Sequence, residues 1–193
     1  MRVFFIKKKN NMKKYDIFHV IPWNSDKNIG VSYNKTMSLV GSEDWVCFLD
    51  GDAVHTTPFF GKRIEDVIDN NPEYSLFTCY TNRIGFKPQI APDVNRETND
   101  QKYHREFGEN MWNKYGTSVL DLTDNPYISG VLLLIKKDVW EKVGGFKTNN
   151  MLGVDNDIHM KVKEFGGKVG LMKGIYVQHW YRGGNQSNTS HLL

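Results

Sequence analysis

The stretch "WVCFLDGDAVH", Trp45 to His55, runs an apolar segment straight into two carboxylates one residue apart. Its first half is rich in aromatic and branched residues, the composition of a buried β-strand. Its second half, Asp50-Gly51-Asp52, sets like charges side by side where that strand must end. Such a pair either turns into solvent or shares an ion, and the segments on each side bear on which.

Upstream, Ile29 to Val40 places Val31, Met37 and Val40 near helical spacing, with Ser25, Asp26 or Asn28 available as an N-cap. Before it, "RVFFI" and "YDIFHVIPW" read as two neighbouring strands, stopped by Pro22 and "NSDKN". Downstream, Phe60, Ile64, Val67 and Ile68 repeat at helical intervals until Asn70-Asn71-Pro72 ends the element, and "SLFTCYTN" follows as a strand. Residues 84 to 125 are polar and weakly periodic, with one helix over "YHREFGENMWNKYG" and substrate-facing loops around it. Then come a buried strand at Val131 to Ile135 and a short helix from Lys137 to Val143, with a stop at Gly144-Gly145. A further helix carries Ile158, Val162 and Phe165 on one face, and "KVGLMKGIYVQHW" supplies closing strand material. Strands and helices alternate, which predicts an α/β domain whose sheet is mixed but mainly parallel and flanked by helices.

A chain of 193 residues suits one domain, residues 1–193, with 185–193 as a polar tail. A 39% hydrophobic and 24% charged composition is that of an ordinary folded protein. The net charge of +3 is too mild for a nucleic-acid binder, and no aromatics interleave with a basic stripe. "KKKNNMKK" reads as a solvated hairpin or loop, with an anion-binding patch as the alternative. Cys47 and Cys79 lie in apolar segments and read as small buried thiols. No apolar run approaches the ~20 residues of a membrane span, and the opening lacks the core of a secretory signal. A cytoplasmic protein without an integral membrane segment is expected.

In open α/β sheets ligands bind beyond the carboxyl ends of strands. Two carboxylates flanking one glycine can turn to a single hard cation, and the glycine lets the backbone approach a phosphate or ribose. Mg²⁺ or Mn²⁺ held by so few side chains completes its shell with water and substrate phosphates, which points to a nucleotide diphosphate. On its own an Asp-Gly-Asp is also an ordinary surface turn. His179 reads either as a packed histidine or as a third ligand, with Arg182 facing the diphosphate charge; His55 ranks second. Asp155 and Asp157 fit the N-terminus of a helix on dipole grounds, and Asp155 alternatively serves as a general base. Trp180, Tyr181, Trp112, Tyr80 and Asn82 are candidates to line a sugar cleft, or equally core and rim.

Taken in order, "NIGVSYN", "WVCFLDGDA", "YISGVLLLIKKDVWEKVGGF", "GVDNDIHMKV" and "VQHWYRGG" resemble segments of the GT-A glycosyltransferases of family 2, over most of residues 18 to 184. The resemblance implies a GT-A, Rossmann-like fold, shortened at its N-terminus. It also implies metal-dependent transfer of a hexose from a nucleotide-diphosphate donor, a UDP-sugar favoured, to a hydroxyl, with inversion. Asp50, Asp52 and His179 match the metal ligands, for Mn²⁺ or Mg²⁺, and Asp155 the catalytic base. Pro22, Asn28, Gly30 and Asn34 match donor-side positions, joined by Asp50, Gly51 and Arg182. Gly130, Asp157 and Trp180 fall on the acceptor side, where a glycan, lipid-linked or protein acceptor is expected. Two departures stand out: no acidic pair for the nucleotide base appears near the start, and Val154 replaces the family's glutamate.

The alternatives are a non-catalytic carbohydrate- or nucleotide-binding module and a sugar nucleotidyltransferase. The latter is expected to carry a glycine-rich phosphate loop, where this chain has asparagines. The segment from Gly183 onward is expected to act as a lid that excludes water from the donor.

Overall fold

The computed structural model describes residues 14–149 and 152–181. The expected strand "RVFFI", nearly all of "KKKNNMKK", Arg182 and the lid from Gly183 lie outside the described residues.

The elements run β1 (Ile17–Val20), α1 (Ile29–Met37), β2 (Trp45–Leu49), β3 (Ala53–His55), α2 (Phe60–Asn70) and β4 (Tyr74–Thr81). A 3₁₀ turn at Lys87–Gln89 precedes α3 (Gln101–Tyr115), β5 (Val119–Asp121) and β6 (Leu132–Lys136). The chain closes with α4 (Lys137–Lys142), α5 (Val154–Glu164) and β7 (Lys168–His179). Among the described residues the strands form one seven-stranded sheet in the order β1-β2-β6-β4-β7-β3, with β5 also paired to β7. The α/β class and the mixed, helix-flanked sheet agree with the sequence reading.

The expectation of a mainly parallel sheet is corrected. Among the named strands, β1–β2 and β4–β7 pair in parallel. β6 lies antiparallel between β2 and β4, and β3 and β5 run antiparallel to β7. A continuous apolar run says that a strand is buried on both faces but carries no information about its direction.

Side chains of β2 alternate between two cores. Val46 and Phe48 join Tyr33 and Met37 of α1, Ile158 and Val162 of α5, and Leu133 of β6. Trp45, Cys47 and Leu49 face the other way, packing with Ile64, Val67 and Ile68 of α2 and Leu134 of β6. Period-two alternation thus lets one strand hold both layers. Both cysteines are buried and free, as expected. Two expected core positions are exposed: Val31 on α1, where Tyr33 takes the inward place, and Phe165, which caps α5 instead of lying on its inner face.

The region read as substrate-facing loops folds onto the sheet through buried polar groups. Gln89 donates from Nε2 to Thr78 Oγ1 (2.9 Å) and the Ser129 carbonyl (3.0 Å), and its Oε1 accepts from the Ser129 amide (2.7 Å). His104 of α3 lies between Tyr176 and the Thr98 carbonyl. These bonds satisfy backbone that would otherwise be buried without partners.

Candidate functional site

Asp50 ends β2, and the chain reverses at once: the Ala53 amide donates to the Asp50 carbonyl at 3.1 Å, closing a tight turn into β3. The Asp50 amide is fixed on the Val131 carbonyl at the start of β6 (3.1 Å). β3 then lies along the end of β7, with Ala53 opposite His179 and the Trp180 amide donating to the Asp52 carbonyl at 2.9 Å. Two segments far apart in sequence thereby bring Asp50, Asp52 and His179 together, one ligand atom of each lying within 4.8 Å of the others.

The orientation of His179 is set from behind. Its amide donates to Asn82 Oδ1 (2.8 Å), and its Nδ1 stands 2.8 Å from the Arg83 carbonyl. A carbonyl only accepts, so Nδ1 carries the proton and Nε2 is turned toward Asp52 Oδ1 at 3.1 Å. Neutral imidazole there would set lone pair against lone pair. The contact is favourable with a second proton on Nε2, or with a cation shared by the two groups. Backbone fixation of the opposite nitrogen is the usual support of a metal-bound histidine. Asp50 adds to the demand for positive charge. Burial pushes its carboxyl up to about 7, Asp52 and Asp155 push the same way, and only His179 opposes them. This set can hold a divalent cation.

No protein-family model matches the chain, and no curated protein matches it. Among solved structures the chain is similar to the crystal structure of A197 from STIV, at 13% identity over 88% of this chain and 86% of that one, with a TM-score of 0.42.

Asp155 borders the same crevice. A cavity of about 160 Å³ is lined by Tyr33, Asp50, Gly130, Leu152, Val154 and Asp155. Asp155 Oδ2 accepts from the Gly130 amide (2.8 Å) and Oδ1 from the Asn156 amide (2.9 Å). Gly130 makes room for this: a Cβ there would stand 3.2 Å from Asp155 Cβ. Burial raises the Asp155 carboxyl above its usual range, against the two amides, which lower it. A larger cavity of about 790 Å³, lined by residues including His55, Phe60, Arg105 and Glu109, contains none of these carboxylates. The donor chemistry, rather than the volume, picks out the smaller crevice.

Other expected positions are engaged within the fold. Asn28 accepts from the Val31 amide as the N-cap of α1 and donates to the Thr148 carbonyl. Asn34 Nδ2 donates to the Phe146 carbonyl (2.8 Å), while its Oδ1 accepts from Trp140 Nε1 and the Phe146 amide, both at 2.9 Å. A Cβ on Gly30 would stand 1.9 Å from the Lys147 carbonyl oxygen. The Asn-Gly-Asn segment is therefore a clamp between α1 and the stretch after α4, and its amides are already engaged. Asp157 pairs with Lys161 (2.8 Å) and does not line the crevice. His55 stacks on Phe60, ring centroids 3.8 Å apart, away from the Asp50–Asp52–His179 set. Tyr80 is core, and Trp112 lies under the Arg63 guanidinium.

Pro22 is partly buried in the loop after β1, and Gly51 is exposed at the tip of the turn. Trp180 is partly buried beside Asp52, and Tyr181, in the left-handed region at φ 41°, brings its ring within 5.4 Å of the His179 ring. The supports missed in the sequence are Arg83, Gln89 and Tyr33.

Proposed function

We propose that the protein is a metal-dependent glycosyltransferase of the GT-A kind, moving a sugar from a nucleotide-diphosphate donor, a UDP-sugar favoured, to an acceptor hydroxyl. The observation that carries this reading is the convergence of Asp50, Asp52 and a backbone-oriented His179 on one point, beside a crevice containing a second, independently held carboxylate. Asp50, Asp52 and His179 would hold Mn²⁺ or Mg²⁺, an oxygen-rich set with one imidazole that suits either ion. When bound, the ion supplies Lewis-acid stabilisation of a departing diphosphate.

The chain's own residues do the rest. Asp155, with a raised affinity for protons, takes the proton of the acceptor hydroxyl as that oxygen forms its bond to the anomeric carbon. The bond from that carbon to the diphosphate oxygen breaks, and the nucleoside diphosphate leaves. Gly130 and Asn156 amides hold Asp155 in place, so little reorientation is needed. Attack from the side opposite the leaving group inverts the anomeric centre. Two buried free thiols fit a reducing, cytoplasmic setting. No helix of the described residues is long and apolar enough to cross a membrane.

Calorimetric titration with UDP and GDP, with and without Mn²⁺, tests the reading on the native chain and on Asp52→Ala. Expected is metal-dependent binding of one nucleotide, lost in the variant, whose half-exposed side chain can be removed without emptying a core. If neither nucleotide binds with Mn²⁺ present, the donor assignment is wrong.

A further inference from the structure

On the opposite face of β2 from Phe48 lies a second convergence of donor atoms. His19 of β1 pairs in register with Cys47 of β2, and the turn into β3 folds His55 back over the same face. One ligand atom each of His19, Cys47 and His55 lies within 4.8 Å of the others. We propose that His19, Cys47 and His55 form a separate metal site, taking a borderline-soft divalent cation of the zinc class.

Three observations carry it. The donor set is two imidazole nitrogens and one sulfur, softer than the two carboxylates and imidazole at the other site, and suited to zinc. His55 Nδ1 is buried with no hydrogen-bond partner among the described residues, and an orphaned buried polar atom asks for a partner. Finally, the two imidazoles are held by aromatic packing: Phe60 stacks on His55 at 3.8 Å with the planes 4° apart and meets His19 edge-on at 5.1 Å. Aromatic contact of this kind fixes the ligand rings. Loading breaks the Cys47 S–H bond, forms a metal–sulfur bond and releases the proton to solvent. Three protein ligands leave a fourth position for water or an exogenous donor. The ion would join β1, β2 and β3, tying the edge of the sheet to the turn that presents Asp50 and Asp52.

Cobalt titration of the full chain reads this directly, because only a thiolate ligand gives the sulfur-to-cobalt charge-transfer band, and carboxylates do not. Expected is a saturable band that disappears when Zn²⁺ is added, is absent in Cys47→Ala and survives in Cys79→Ala. His19→Ala alters an exposed residue and so keeps the fold; it should weaken cobalt binding by more than the roughly 100-fold that bounds the effect of an outer-shell partner. No band with native protein overturns the site. So does a band that persists in Cys47→Ala, or undiminished affinity in His19→Ala, a result that decides the matter even if Cys47→Ala fails to fold.

Discussion

Asp50 is a carboxyl that the fold prefers protonated. Its value rises from the usual 3.8 to about 7. The folded chain therefore binds this proton more tightly than the unfolded one. The contribution is fully present below about pH 4 and is lost as pH rises towards 7. Asp50→Asn removes that loss. In metal-free buffer the variant should be more stable than the native chain by on the order of 2 kcal/mol at pH 8, discounted because Asp50 keeps some solvent contact, and by much less at pH 4. Urea unfolding at both pH values checks it; a pH-independent difference would contradict the burial account. The same variant should lose Mn²⁺ binding, the trade of stability for function expected where charges are kept together for a ligand. At this scale the sequence singled out Asp50, Asp52 and His179, which the fold brings together, and Asp155, which shares a cavity with Asp50. It was silent about Arg83 and Tyr33. Arg83 acts through a backbone carbonyl that any residue would offer, 96 positions from the histidine it orients.

The α1 clamp shows how an element can be read correctly while the contacts its residues make go unseen. Helix, N-cap and glycine were all legible in "NIGVSYN", yet the destination of the amide groups was not. Asn34 spends three hydrogen bonds on Phe146 and Trp140. Asn34→Ala should cost about 2–3 kcal/mol, since it strands buried partners as well as removing bonds. Nucleotide affinity of the folded fraction should change little. A variant that kept its stability but lost nucleotide affinity would return Asn34 to the donor site. Gly30→Ala should be worse, because helix and strap must separate to admit a methyl group. The direction of β6 was illegible for a similar reason: Leu132 to Ile135 are apolar on both faces, and burial does not record polarity of the chain.

For the whole molecule, one sheet divides two apolar layers, so neither layer is independent of the other. Leu133 and Leu134 are both fully buried, one in each layer. Leu133→Ala and Leu134→Ala should each cost about 2–5 kcal/mol. Both should shift a single urea transition without changing its slope. Two separate transitions in either variant would show that the layers unfold apart.

The contact between His179 and Asp52 spans 127 positions of sequence, which has a kinetic meaning. Closing so large a loop is slow relative to local helix formation, so this junction should be absent from the folding transition state. A cation gripped there would leave the rate of folding nearly unchanged and slow unfolding instead. Stopped-flow refolding and unfolding with and without Mn²⁺ separate the two limbs. The ion would act as a latch on a finished structure rather than a seed for it.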